Sequence, residues 1–336
     1  MQAITHLSSP VYIKASAAVG GHEEGRGPLG KNFDFIDDTD LFGMNTFERA
    51  EGEMSRIALN IAIKKAFIEP EDLSLVVAGD LQNQCVASSG GLFSFGVPYL
   101  GLYGACSTLT EGLMVLSSMM SNSQKYRLGA CLTSSHNSAA ERQFRTPLEY
   151  GSQRAKTAQW TATAAGAYIL SKEKCNAGIS AFMPGRIIDG YSTDASNMGA
   201  AMALSAKDSI ENYFSSGEED PMSYDLILTG DLGEVGSNIL RDLLTKEMKC
   251  GFYLSSIHRD CGLTLYDRSS TDCHSGASGC GCSASVLSSY VLPMVMKGEI
   301  RKMLLMSTGA LMSLTSTQQG EHIFGISPAV KIEHFD

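Results

Sequence analysis

Apolar residues recur at two periods along the chain, and the switches between them mark out its elements. LSLVVAGDL (Leu73–Leu81) and YDLILTGDL (Tyr224–Leu232) are short, nearly unbroken apolar runs that end in Gly-Asp. Such runs suit strands buried on both faces, with C-terminal ends that open into loops. A helical period precedes the first run: in ERAEGEMSRIALNIAIKKAF, Met54, Ile57, Ala58 and Ile61 share one face. NMGAAMALSAKDSIENYF (Asn197–Phe214) holds the same place before the second. ACSTLTEGLMVLSSMM (Ala105–Met120), apolar nearly all round, predicts a helix buried at the centre of the fold, and GCSASVLSSYVLPMV (Gly281–Val295) echoes it. KYRLGACLTSS (Lys125–Ser135) and IRKMLLMSTGA (Ile300–Ala310) predict matching strands. TATAAGAYILSK (Thr161–Lys172) and KCNAGISAFMPGRIID (Lys174–Asp189) predict strands that close the first half. Signals repeated in the same order predict two similar α/β halves, residues 1–190 and 191–336, with SSGEEDPMS (Ser215–Ser223) as an exposed turn inside the second.

Composition narrows the function. The chain has 336 residues, 43% hydrophobic and 18% charged, which is enough for one large or two fused domains. A net charge of −10 argues against a nucleic-acid binder. The nine cysteines are odd in number and scattered, and the opening MQAITHLSSPVYIKASA lacks both a basic start and an apolar core, so reduced thiols are expected. The longest apolar candidate, VLSSYVLPMVMKG (Val286–Gly298), is far short of the roughly 20 residues a spanning helix needs. Any membrane role is therefore expected to be peripheral.

Cys106, in LYGACSTLTEGL, carries the chemical question. A cysteine at the start of a buried helix faces unsatisfied N–H groups and the positive end of the helix dipole, which lower a thiol pKa. The alternative reading is a small buried hydrophobe. DCHSGASGCGC brings Cys273, His274, Cys280 and Cys282 close in sequence, but the spacing is not that of a zinc ribbon and suits a tight strand-to-helix connection. FDFIDDTDLFG (Phe33–Gly43) lacks the ligand pattern of a calcium loop and reads as a solvated loop. No metal and no cofactor are expected.

Two α/β halves with a cysteine at the start of the first buried helix resemble the thiolase fold of condensing enzymes. VGGHEEGRGPLGKNFD, TFERAEGEM, GLYGACSTLTEG, RTPLEYGSQRAKTAQWT and HSGASGCGCSAS resemble, more specifically, the stage V sporulation protein AD (SpoVAD) family of spore-forming bacteria, over Val11 to Glu333. The resemblance implies a thiolase-like fold, with two βαβαβ halves packed as a layered α-β-α-β-α structure. It implies binding of dipicolinic acid, pyridine-2,6-dicarboxylate, free or as its calcium chelate. It further implies a part in that ligand's uptake into the developing spore and in germination. The expected place is peripheral on the spore inner membrane, held by other stage V sporulation A membrane proteins. The fold also implies a homodimer.

Condensing enzymes of this fold pair a thiol with two His, or with His and Asn, from the second half. Here Cys106 matches the nucleophile position. Where a His is expected after the strand that opens LILTGDLGEVGSN, the chain offers Asp231 or Glu234, and a carboxylate there raises the thiol pKa and repels an oxyanion. His274 is the remaining partner candidate, and Ser307-Thr308-Gly309 stands where thiolases carry a second Cys. The expectation is a degenerate, non-enzymatic site in which Cys106 is a vestigial nucleophile. A dicarboxylate wants paired Arg forks and an apolar slot. AERQFRTPLEYGSQRAKTAQW (Ala140–Trp160) supplies Arg142, Arg145, Arg154 and Lys156 beside Phe144, Tyr150 and the single Trp160. The expected ligand-binding set is Cys106, Arg145, Arg154, Lys156, Asp231 and His274. The competing functions are a thioester-dependent condensing or acyl-transfer enzyme using Cys106, and a structural docking subunit of a membrane complex.

Overall fold

The computed structural model describes residues 4–144, 154–269 and 272–336. Its main sheet repeats itself. Thr5–Gly20 pairs antiparallel with Ala164–Ser171, which pairs antiparallel with Leu128–Ser135; Val76–Asp80 and Tyr99–Gly101 then follow in parallel. In the second half Ala177–Met183, Ala329–His334, Lys302–Met306, Leu226–Thr229 and His258–Asp260 follow with the same order and senses. The long strand Thr5–Gly20 joins the two sets, because its first part pairs antiparallel with Ala177–Met183.

Alternation along the strands sorts the layers. Val77, Cys131, Tyr168 and Leu170 of the first half, and Leu226, Leu228, Met303 and Leu305 of the second, face one shared core. That core holds Leu109, Leu113, Leu116 and Met120 of helix Thr108–Asn122, with Val286, Leu287, Val291 and Leu292 of a second central helix. The second helix runs as Cys280–Val286, a π-helical turn Leu287–Val291 and Leu292–Met296. Intervening strand residues face outward to Phe47–Ala66 on one side, and to Met198–Ser215 and Gly233–Glu247 on the other. The result is the layered α-β-α-β-α arrangement that the resemblance implies. Among the described residues no helix is long and apolar enough to cross a membrane.

Two local expectations shift. On Phe47–Ala66 the fully buried stripe is Ala50, Met54, Ala58, Leu59 and Ala62, whereas Ile57 and Ile61 flank it half-buried. Small residues let this helix lie close to the sheet. The Ser215–Ser223 turn is not wholly solvated: Glu219 is buried and accepts from Lys331 Nζ at 2.6 Å.

Close packing also explains Gly166. A Cβ there would sit 2.5 Å from the carbonyl oxygen of Ala284 in the central helix. Gly166→Ala is expected to destabilise the protein by about 2–4 kcal/mol, because neither strand nor helix backbone can yield cheaply. A thermal unfolding scan beside the wild type checks this, and an unchanged midpoint would refute it.

Candidate functional site

The site lies where the C-terminal ends of the parallel strands meet the N-termini of the two central helices. Cys106 occupies the turn just before Thr108–Asn122. Ala105 takes φ +52°, a left-handed conformation that L residues rarely adopt and that often marks functional turns. Local bonds hold the turn. Ser107 N–H donates to Gly104 O at 3.1 Å, Gly104 N–H donates to Thr108 Oγ1 at 3.1 Å, and Thr108 Oγ1 donates to Ala105 O at 2.6 Å. The second half closes directly onto it, since a Cβ on Gly309 would lie 2.5 Å from Gly104 O.

Asp231 leaves the end of Leu226–Thr229 and is fully buried. Its Oδ2 accepts from Ser278 Oγ at 3.1 Å and from Gly279 N–H at 2.9 Å, and its Oδ1 accepts from Thr308 Oγ1 at 3.1 Å. Cys106 Sγ lies 3.9 Å from Ser278 Oγ, the hydroxyl that donates to Asp231, so thiol and carboxylate face each other across Ser278. Burial pushes the Asp231 carboxyl up from 3.8 to about 6, against the hydrogen bonds that favour its ionised form. The Cys106 thiol is pushed well above its ordinary value, first by burial and then by the Asp231 charge. This corrects the expectation of a lowered thiol pKa: at 6% exposure, desolvation beside a carboxylate outweighs the helix N-terminus.

A second buried carboxylate fixes the loop that carries Asp231. Asp260 accepts from Leu232 N–H at 2.9 Å, Gly233 N–H at 3.0 Å and Thr229 Oγ1 at 2.6 Å. Burial raises it to about 7. His258 meets Thr229 Oγ1 at 2.8 Å, and burial pushes its imidazole down to about 3, so it is neutral.

A cavity of about 40 Å³ opens over Cys106. Its walls are mostly apolar, among them Leu81, Tyr103, Phe144, Met198 and Met312; Cys106, Glu141, Thr161 and Ser278 supply the polar side chains. Arg154 stands at the rim, 19% exposed, with its guanidinium 4.7 Å over the Trp160 ring. It lies 3.5 Å from Glu141 and 3.9 Å from Asp272, and donates to Gln159 O at 3.3 Å. Gln159 Nε2 in turn donates to Asp231 O at 2.6 Å and Ala277 O at 2.8 Å, so the rim is tied to the cavity floor.

The structure thus brings Cys106 and Asp231 together and places Arg154 one residue from the cavity, through Glu141. His274 stands apart from the cavity lining: Nε2 is 2.9 Å from Asp272, and its carbonyl accepts from Arg268. Lys156 is exposed. Arg142 pairs with Glu48, and Glu234 pairs with Arg268. Arg145 and Tyr150 lie outside the described residues. The Phe33–Gly43 loop is only partly solvated: Phe42 is buried, Asp34 Oδ2 accepts from Ala18 N–H at 3.0 Å and Asp40 Oδ1 accepts from His22 N–H at 2.7 Å. Among the described residues, no group of three or more His, Cys, Asp or Glu is placed to hold a metal ion. Sequence reasoning did not assign Ser278, Glu141 or Asp260, and singled out Thr308 only within Ser307-Thr308-Gly309. The internal repeat, read as Ala105–Met120 against Gly281–Val295, sets Cys282 opposite Cys106, whereas the structure puts Ser278 in that place, two residues before the second central helix.

Comparison with known proteins follows the same lines. The family model described as stage V sporulation protein AD (SpoVAD) matches residues 2–333. Stage V sporulation protein AD of Bacillus subtilis (strain 168) is 37% identical over 324 residues, 96% of this chain and 94% of that protein. Solved structures with the same fold include 3-oxoacyl-[acyl-carrier-protein] synthase III from Aquifex aeolicus VF5, with a TM-score of 0.59 and 11% identity over 96% of this chain and 99% of that one. Cerulenin-bound OleA from Xanthomonas campestris has a TM-score of 0.62 at 11% identity, over 98% of each chain.

Proposed function

The chain belongs to the stage V sporulation protein AD family, and from that membership we propose that it is a ligand-binding protein, not an enzyme. It holds dipicolinic acid in the cavity beside Cys106 for uptake into the developing spore. The observation that carries the reading is the pairing of the Cys106 thiol with the buried Asp231 carboxylate. A nucleophilic thiol needs a proton acceptor that also tolerates an oxyanion. Asp231 instead opposes both the thiolate and the oxyanion, while the cavity above remains open.

The cavity's own charge favours one form of the ligand. Glu141 lines it, Asp231 lies behind Ser278, and among the described residues no Lys or Arg does. A free dianion would rely on Arg154 turning from Glu141 to a ligand carboxylate. The calcium chelate is nearly neutral and avoids that opposition, with calcium arriving on the ligand. Membrane partners are other stage V sporulation A proteins, and the place is peripheral on the spore inner membrane. A homodimer is supported by the edge strand Tyr99–Gly101, whose three residues are exposed beside the exposed Phe93 and Tyr103.

Calorimetric titration with dipicolinate, with and without calcium, tests the reading. Binding is expected to be micromolar with calcium and weaker without it. Arg154→Ala is expected to weaken the calcium-free binding by about tenfold or more, as loss of a charge-assisted hydrogen bond does. No heat in either condition would overturn the proposal, and acyl transfer from a thioester to Cys106 would favour the enzyme instead.

A further inference from the structure

What the cavity floor offers a ligand depends on one proton. Ser278 lines the floor, 2% exposed, with Cys106 Sγ 3.9 Å from its Oγ on one side and Asp231 Oδ2 3.1 Å away on the other. A serine hydroxyl has one proton to donate, and an ionised carboxylate can only accept. While Asp231 is ionised, that proton is held in a charge-assisted bond directed away from the cavity. Ser278 then turns only lone pairs toward the cavity and offers an anionic ligand no donor.

Protonation of Asp231 reverses this. Gly279 N–H is a fixed backbone donor and meets Oδ2 at 2.9 Å, which keeps Oδ2 as the carbonyl oxygen. The proton then belongs on Oδ1, 3.1 Å from Thr308 Oγ1, and Thr308 becomes the acceptor of that bond. Oδ2 has lost its charge and still holds Gly279. A ligand carboxylate is now the stronger acceptor for the Ser278 hydroxyl.

The surroundings favour such a proton. Three neutral donors, and no cation, bond the Asp231 carboxylate. Asp260 from strand His258–Asp260 and Glu141 from helix Asn137–Phe144 add only negative charge, and His258 is neutral. Burial keeps the neighbouring thiols of Cys106, Cys261, Cys280 and Cys282 protonated. Arg154 is separated from Asp231 by Gln159. The Asp231 carboxyl, at about 6, stands close enough to neutral pH for an incoming negative charge to complete its protonation.

Taking the ligand-binding reading as given, we propose that the cavity takes its carboxylate ligand together with one proton from solvent, which enters on Asp231 Oδ1 and frees the Ser278 hydroxyl to bind the ligand. Asp231 is then a positioning residue that acts through Ser278.

Calorimetric titration with calcium-free dipicolinate, in two buffers of different ionisation enthalpy, counts the protons taken up. Ordinary carboxylates titrate near pH 4, below the range used. Uptake is expected to be small at pH 5.5, where Asp231 is already mostly protonated, and to approach one per ligand at pH 7.5. Affinity should fall as the pH rises above about 6, by up to tenfold per unit. Asp231→Asn offers an amide N–H to Thr308 and a carbonyl oxygen to Gly279, copying the protonated carboxyl. It should show no uptake, a flat pH profile, and binding about tenfold or more tighter than the wild type at pH 7.5. Ser278→Ala should weaken binding at pH 6 about tenfold, through loss of a bond to a charged group. Binding without uptake, or uptake that survives in Asp231→Asn, would overturn the inference and leave dipicolinate binding standing. No binding of the free ligand or its calcium chelate at any pH would overturn both. The wild-type proton count decides the matter even if a variant fails to fold.

Discussion

Asp231→Asn is expected to make Cys106 react about ten- to a hundredfold faster with iodoacetamide at pH 8, the change in thiolate population that removing one adjacent charge produces. At that pH Asp231, with a pKa of about 6, is ionised in the wild type, and a thiolate forming at Cys106 must form against it. Asparagine removes the charge and keeps an amide oxygen for Ser278, Gly279 or Thr308. Burial, the larger cause of the raised thiol, remains, so Cys106 stays mostly protonated even in the variant. The pH dependence has a definite sign. Below about pH 6 the wild-type carboxyl takes up its proton and the two proteins should react alike. Above it their rates should separate and then run parallel. Access through the cavity is common to both and cancels in the ratio. Quantifying alkylated Cys106 by mass spectrometry, with buried Cys131 as internal control, reads the effect. Equal rates at pH 8 would mean that Asp231 does not govern the thiol, and the main observation against an enzyme would be lost.

The fold was legible because its strands are buried on both faces and therefore read as apolar runs. LSLVVAGDL and YDLILTGDL mark equivalent strands, Val76–Asp80 and Leu226–Thr229, at the same step of the two half-sheets. The central helices were legible for the same reason, since helix Thr108–Asn122 is packed on several sides and so apolar nearly all round. The face of Phe47–Ala66 was less so. Hydrophobicity marked Ile57 and Ile61, but close approach to the sheet selected the smaller Ala50, Ala58 and Ala62.

The site was legible only where position in the repeat decided it. Cys106 and Asp231 follow from standing at the ends of repeated elements. The direction of the Cys106 pKa followed only in part: a carboxylate at Asp231 is expected to raise it, but a sequence shows the helix N-terminus and not the depth of burial, which is the larger cause. Arg154 was chosen for its charge. Its stacking on Trp160, and its engagement with Glu141 and Asp272, depend on how three separate segments meet. His274 is close to the nucleophile's partners in sequence, yet its ring turns to Asp272 and Ser278, four residues on, reaches the thiol instead. Two or three residues of strand-to-helix connection decide which side chain enters the site, and composition carries no information at that scale.

Glu24 offers a prediction of similar size on stability. It is fully buried, and three donors converge on it: Thr163 N–H at 3.0 Å, Gly21 N–H at 3.2 Å and the Tyr266 hydroxyl. Those bonds favour the carboxylate, but burial prevails and raises its pKa from 4.5 to about 7. A carboxyl with a higher pKa in the folded state binds its proton more tightly there than in the unfolded chain. Unfolding between about pH 4.5 and 7 therefore releases protons, and this group's contribution falls as pH rises through that window. A displacement of this size corresponds to about 3 kcal/mol between the two ends. Glu24→Gln cannot ionise, so the difference in unfolding free energy, wild type minus variant, should fall by about that amount from pH 4.5 to 7.5. The amide places a donor toward one of the N–H groups and adds a penalty, but a constant offset leaves the slope unchanged. Asp260, raised to about 7 by burial, acts in the same direction in both proteins and cancels. Urea unfolding at several pH values measures the difference. A flat difference would show that Glu24 keeps its charge in the folded protein, held there by Thr163, Gly21 and Tyr266.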